Sequence, residues 1–109
     1  MREIHWLKAA EDELADIINY VLNTHGPNTA LHVYEDIIHR IDLLAAFPEL
    51  GTFETRYLFN EMPLRVLHSK LTRVFYCVLE NEIVVVLLWN NRMDDRKLKE
   101  LIESRNQTI

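Results

Sequence analysis

This sequence is short of several residue types. It has a single cysteine, Cys77, which excludes an internal disulfide and a cysteine-rich zinc site. Two glycines and three prolines leave no flexible linker and no repeat array. Basic charge is in deficit, with 12 lysines and arginines against 17 acids and a net charge of −5. General nucleic-acid binders are usually basic overall, so direct sequence-specific DNA binding is not expected. Long hydrophobic runs are missing too. Ile83–Trp89 is the longest, far short of the about 20 apolar residues that a membrane helix needs. Met1–Trp6 lacks a signal-peptide core. The expectation is a cytoplasmic, reducing setting with no membrane contact and no cofactor.

What remains is an ordinary globular mixture, 49% hydrophobic and 27% charged over 109 residues, read as one domain over residues 1–109. Charge is uneven along it. Residues 1–51 carry three basic side chains against nine acidic ones, whereas residues 52–94 balance at five of each.

Periodicity divides the chain. Residues 2–6 suit a short edge strand. Ala10, Leu14, Ile17, Ile18 and Val21 then fall on one helix face, with Glu11, Asp12, Glu13 and Asp16 near its positive end. Gly26 is placed to end this helix and Asn28 to cap the next, whose stripe is Ala30, Val33, Tyr34, Ile37, Ile41 and Leu44. That helix stops near Phe47-Pro48. Residues 48–63 show no clear period and read as a loop, with at most a short strand at Thr55–Leu58. Leu64–Ser69 and Thr72–Glu80 read as strands. In the second of these, Val74, Tyr76 and Val78 point one way and Arg73, Phe75, Cys77 and Leu79 the other. Asn81 marks a turn. Ile83–Trp89, apolar throughout, suits a strand covered on both faces. Asp94 or Asp95 caps a last helix with Leu98, Leu101 and Ile102 on its apolar side. The fold class is α+β: an N-terminal helical hairpin packed on a small twisted antiparallel sheet, then a short C-terminal helix. The sheet face away from the hairpin is expected to meet solvent or a partner.

Three groups of residues could carry chemistry. Cys77, between Phe75 and Leu79 on one strand face, reads as a buried apolar residue and not as a nucleophile. His32, Asp36 and His39 share one helix side as metal ligands do, but any solvent-facing helix side presents such residues, and no metal site is expected. Arg65-Val66-Leu67-His68-Ser69-Lys70-Leu71-Thr72-Arg73 is more informative, with three cations, a histidine and no acid in an acidic chain. A hairpin here would gather these side chains, with Tyr76 and Arg92 able to join. Such a cluster suits phosphate or a carboxylate, while one or two of its charges are what an edge strand carries against aggregation.

The order of Trp6, the helix from Ala10, Pro48-Glu49-Leu50-Gly51, Arg65-Val66-Leu67, Arg73-Val74-Phe75-Tyr76, Ile83–Leu88 and Asn91-Arg92-Met93-Asp94 resembles the ParE/RelE superfamily. These are toxins of bacterial type II toxin–antitoxin modules, often called plasmid stabilisation proteins. The resemblance covers essentially the whole chain and implies the fold just described, with a cognate antitoxin as partner. Two activities follow from it. RelE-like and YoeB-like members cleave messenger RNA on the ribosome, and ParE-like members poison DNA gyrase without a recognised nuclease site. Arg73 matches the strand arginine that nuclease members use near the scissile phosphate, and Arg65 a basic position on the preceding strand. The His-Tyr pair that ends YoeB-like enzymes falls here on Asn91 and Arg92, and asparagine exchanges no proton near neutral pH.

A nuclease would therefore have to use Arg65, Lys70, Arg73 and Arg92 for phosphate, with His68 or Tyr76 for protons. His68 serves only if the turn brings it near Arg73 and Arg92. The acidic balance and the missing pair favour a ParE-like toxin that binds gyrase. A ribosome-dependent nuclease and a non-toxic binding module of the same fold are the alternatives, so enzymatic activity stays open. The antitoxin surface is expected at Val66, Leu67, Leu98, Leu101 and Ile102.

Overall fold

The structure is a computed structural model described over residues 1–106; the last three residues of the expected domain lie outside the described residues. The order is β1 (Glu3–Trp6), α1 (Lys8–His25), α2 (Pro27–Leu43), a 3-10 turn (Pro48–Leu50), β2 (Thr52–Phe59), β3 (Met62–Ser69), β4 (Thr72–Val78), β5 (Glu82–Asn90), a second 3-10 turn (Asp95–Lys97) and α3 (Leu98–Arg105). The sheet order is β1-β5-β4-β3-β2. The pairings of β2 to β5 are antiparallel, as expected, but β1 runs parallel to β5. The sheet is therefore mixed. No tight turn joins β1 to β5, so nothing forces that pair to run antiparallel.

Gly26 ends α1 with its N–H on the Leu22 carbonyl, and it is also the N-cap of α2. Its φ of 90° suits glycine alone. Pro27 starts α2, where a missing N–H costs nothing, so Asn28 is not the cap. Ala10, Ile17 and Val21 of α1 and Ala30, Val33, Ile37 and Ile41 of α2 are buried as the stripes predict. Tyr34 departs from its stripe and is exposed.

The hairpin packs on one sheet face, against Leu67, Val74, Tyr76, Ile83, Val85 and Leu88. The other face holds Phe59, Leu64, Val66, Phe75, Cys77, Val84, Val86, Leu87 and Trp89, covered in part by Leu98 and Ile102 of α3. The alternation expected in β4 is thus observed. In β5, Phe75 pairs with Leu87 and Tyr76 with Val85, so Val86 is an extra residue. This bulge turns both Val86 and Leu87 to the α3 face, and the strand shows no simple period.

Two expectations are corrected. The segment 48–63 is not a loop, because it contains the eight-residue β2. β2 is an edge strand, Phe59 is its only buried residue, and its pairing with β3 slips between Glu54 and Leu58. A strand that buries one side chain carries no alternation to read. The face away from the hairpin is also not simply open, since α3 lies across part of it.

Candidate functional site

Arg73 is the second residue of β4, opposite His68 on β3 and Trp89 on β5. It stands on the α3 face. Its Nε donates to Asn91 Oδ1 at 3.0 Å and its Nη2 to Asp95 Oδ1 at 2.6 Å. The same carboxylate oxygen accepts from Trp89 Nε1 at 3.1 Å. Asp94 fixes this turn by accepting from the Arg96 N–H. Hydrogen bonding to Arg73 holds the Asp95 carboxyl below the usual carboxylate range, with Trp89 adding to it. Only 17% of the Arg73 side chain is exposed. The cation expected to meet phosphate is therefore already bound to a carboxylate. Asp95 and Trp89 were not expected to act here. The one sequence signal was an indole N–H at the end of a buried strand, since such a group needs an acceptor.

The other candidates are dispersed. Strand register brings His68 to Arg73, and His68 is exposed. Arg92 is engaged on α1, its guanidinium 3.9 Å from the centre of the Tyr20 ring. Lys70 lies in the β3–β4 turn and lines a cavity of about 410 Å³ with His25, His32 and Leu71. Arg65 pairs with Tyr76 across β3 and β4, on the hairpin face of the sheet. Tyr76 is buried, donating its hydroxyl to the Pro48 carbonyl at 2.7 Å and accepting the Gly51 N–H at 2.8 Å. Burial pushes this phenol above its ordinary range, and both lone-pair and proton capacity are in use. The hairpin therefore does not gather the six residues at one place.

His32, Asp36 and His39 do not converge. Asp36 accepts from the Ser69 hydroxyl and the Arg40 guanidinium. Among the described residues no three metal-ligating side chains lie together. Cys77 is buried, and loss of hydration pushes its thiol up to about 11. Alkylation of Cys77 at pH 8 is accordingly expected to run about 100-fold slower in the native protein than in urea. Equal rates measured by mass spectrometry would contradict its burial.

Residues 4–95 match the family described as ParE toxin of type II toxin-antitoxin system, parDE. The chain belongs to the ParE toxin family. A solved chain described as a chromosomal ParDE TA system from P. aeruginosa has the same fold, with a TM-score of 0.67 at 22% identity. The likeness covers 83% of this chain and 96% of that one. No curated protein matches. ParE membership implies an antitoxin partner. No helix among the described residues is long and apolar enough to cross a membrane.

The residues expected to meet that antitoxin lie largely inside this ParE-family chain. Val66, Leu67, Leu98 and Ile102 are buried in its own two cores, and Leu101 is half-buried beside α3's contact with the sheet. A partner would reach most of them only by displacing α3 or the hairpin. Open on the α3 face among the described residues are a cavity of about 330 Å³ lined by His5, Leu7, Phe59, Met62, Cys77 and Val84 and one of about 380 Å³ lined by Trp89, Met93, Lys97 and Leu101.

Proposed function

We propose that this chain is the growth-arresting toxin of a ParDE-type module and acts by binding a protein target, DNA gyrase, without cutting messenger RNA. The observation that carries this reading is the Arg73–Asp95 ion pair. A phosphodiester gathers negative charge on the way to cleavage, and catalysis requires donors free to meet it. A guanidinium held by a carboxylate offers no net charge there, and Asp95 would repel the phosphate. Asn91 transfers no proton, and the Tyr76 hydroxyl is committed inside the fold. In this reading the antitoxin, folding as it binds, covers the open apolar part of the α3 face.

Inducing the gene is expected to arrest growth with transcripts intact and to leave gyrase-linked DNA breaks. Arg73→Ala is expected to change the arrest by no more than about threefold, since a residue outside the chemistry costs little in transition-state binding. Sequencing of transcript ends decides the matter. Messages cut within translated codons, with cutting lost by orders of magnitude in Arg73→Ala, would restore the nuclease.

A further inference from the structure

The sheet face under the helical hairpin continues beyond it. Phe53, Arg65 and Tyr76 are register partners on β2, β3 and β4, so their side chains form one row. Tyr76 lies in the hairpin core, whereas Arg65 is half-buried and Phe53 is 59% exposed. The Arg65 guanidinium lies 3.9 Å from the centre of the Phe53 ring, and its Nη1 donates to the Gly51 carbonyl at 2.6 Å. This stacked pair walls a cavity of about 260 Å³ together with Pro48, Met62 and Pro63. Phe47 and Leu50, from the turn that supplies Pro48, are 57% and 47% exposed.

Arg65 differs from most of the other arginines. Arg40, Arg56, Arg73, Arg96 and Arg105 each pair with a carboxylate. Among the described residues Arg65 has no such partner, although Glu49 lines the same cavity. A half-buried, stacked guanidinium with donors to spare gains most from a carboxylate brought by another molecule. The surface is also rigid, because the Tyr76 hydroxyl ties Pro48 to Gly51 beneath it. Aromatic and arginine anchors around a small preformed pocket are the features of a docking centre on a folded partner. An antitoxin segment that folds on binding would bury a longer and more apolar stretch than this pocket offers.

We infer that Phe47, Leu50, Phe53 and Arg65 form the surface by which this toxin docks on its folded protein target, and that the target meets it with a carboxylate beside an apolar side chain. This inference rests on the protein-target reading above. The test uses the full chain with Phe53→Ala and Arg65→Glu made separately. Phe53 is exposed, so its variant is not expected to fail through the fold. Three quantities are measured: the toxin level needed for half-maximal growth arrest, the affinity for purified antitoxin, and the thermal midpoint. Each variant is expected to need about 30-fold more toxin, the loss typical of a docking anchor, with antitoxin affinity kept within about threefold. Arrest by both variants at the wild-type level would overturn the surface and leave the protein-target reading standing. A parallel loss of antitoxin affinity would assign these residues to the antitoxin and overturn it as well. A wild-type chain that cuts transcripts, or causes no arrest, would overturn the functional reading and the surface with it.

Discussion

Replacing Arg105 by alanine is expected to cost about 3–5 kcal/mol of stability, the range for breaking a buried ion pair from one side. Only 7% of the Arg105 side chain and 20% of Glu13 are exposed. The Arg105 guanidinium donates to both carboxylate oxygens of Glu13 and, through Nη1, to the Val86 carbonyl at 2.8 Å. Glu13 Oε1 in turn accepts the Leu88 N–H at 3.1 Å. Two backbone groups of β5, next to its bulge and beyond the end of β1, therefore depend on this pair. Removing Arg105 leaves the Glu13 carboxylate without its countercharge and the Val86 carbonyl without its side-chain donor, and it frees α3 at its last turn. Urea unfolding of the variant measures the loss, and a change below about 1 kcal/mol would show that water replaces the guanidinium without cost. Exchanging the charges, with Glu13→Arg and Arg105→Glu together, is not expected to restore stability. An arginine at position 13 cannot accept from Leu88, and a glutamate at 105 cannot donate to Val86.

Gly51→Ala is expected to be nearly as damaging, for steric reasons. Gly51 has ordinary extended backbone angles, with φ of −81°, so its conformation would suit any residue. Space is the constraint. A Cβ there would lie 2.7 Å from the Val66 carbonyl oxygen and 2.7 Å from the Tyr76 hydroxyl. The first is sheet backbone, and the second is held by Pro48 and by the Gly51 N–H itself. Neither gives way cheaply, so a loss of about 2–4 kcal/mol is expected, or roughly 10–20 °C in Tm. Tyr76→Phe removes the hydroxyl and is expected to cost about 1–3 kcal/mol, because the Gly51 N–H and Pro48 carbonyl lose their partner. Adding Tyr76→Phe to Gly51→Ala should cost slightly less than the two changes summed, since the hydroxyl clash disappears, while the Val66 carbonyl and the ring Cε1, 2.8 Å away, stay in the way. Strict additivity in calorimetry would show that the Tyr76 hydroxyl is not what blocks the added methyl. The same clamp holds the turn that carries Phe47 and Leu50, so its loss should also weaken the docking surface.

Much of the fold could be read locally. The apolar stripes of α1 and α2 and the alternation in β4 each place hydrophobic side chains at the period of the element that buries them. The expected aspartate cap falls one turn early, since Asp94 caps the 3-10 turn Asp95–Lys97 and α3 itself starts after Lys97 without a side-chain cap. Legibility ended where burial was sparse or irregular. β2 buries a single residue, and the β5 bulge breaks the period in the middle of the run. The candidate site was less legible than the fold. A basic stretch suggested one cluster, but alternation sends Arg65 and Arg73 to opposite sheet faces, and α1 takes Arg92 through Tyr20.

The sequence by itself determined the α+β class, the order of the elements apart from β2, and the inward faces of the two long helices. It also carried the likeness to the family that residues 4–95 match. These follow from local periodicity and from side-chain identity. Tertiary structure alone decided that β1 lies parallel to β5 and that α3 covers part of the second face. It also decided that Asp95 pairs with Arg73, that Arg65 stacks on Phe53 without a carboxylate partner among the described residues, and that Glu13 meets Arg105 across 92 residues of chain. Such pairings depend on register, on a bulge and on which strand lies at which edge. Those features are selected by the free energy of the whole packed chain, so no local pattern records them.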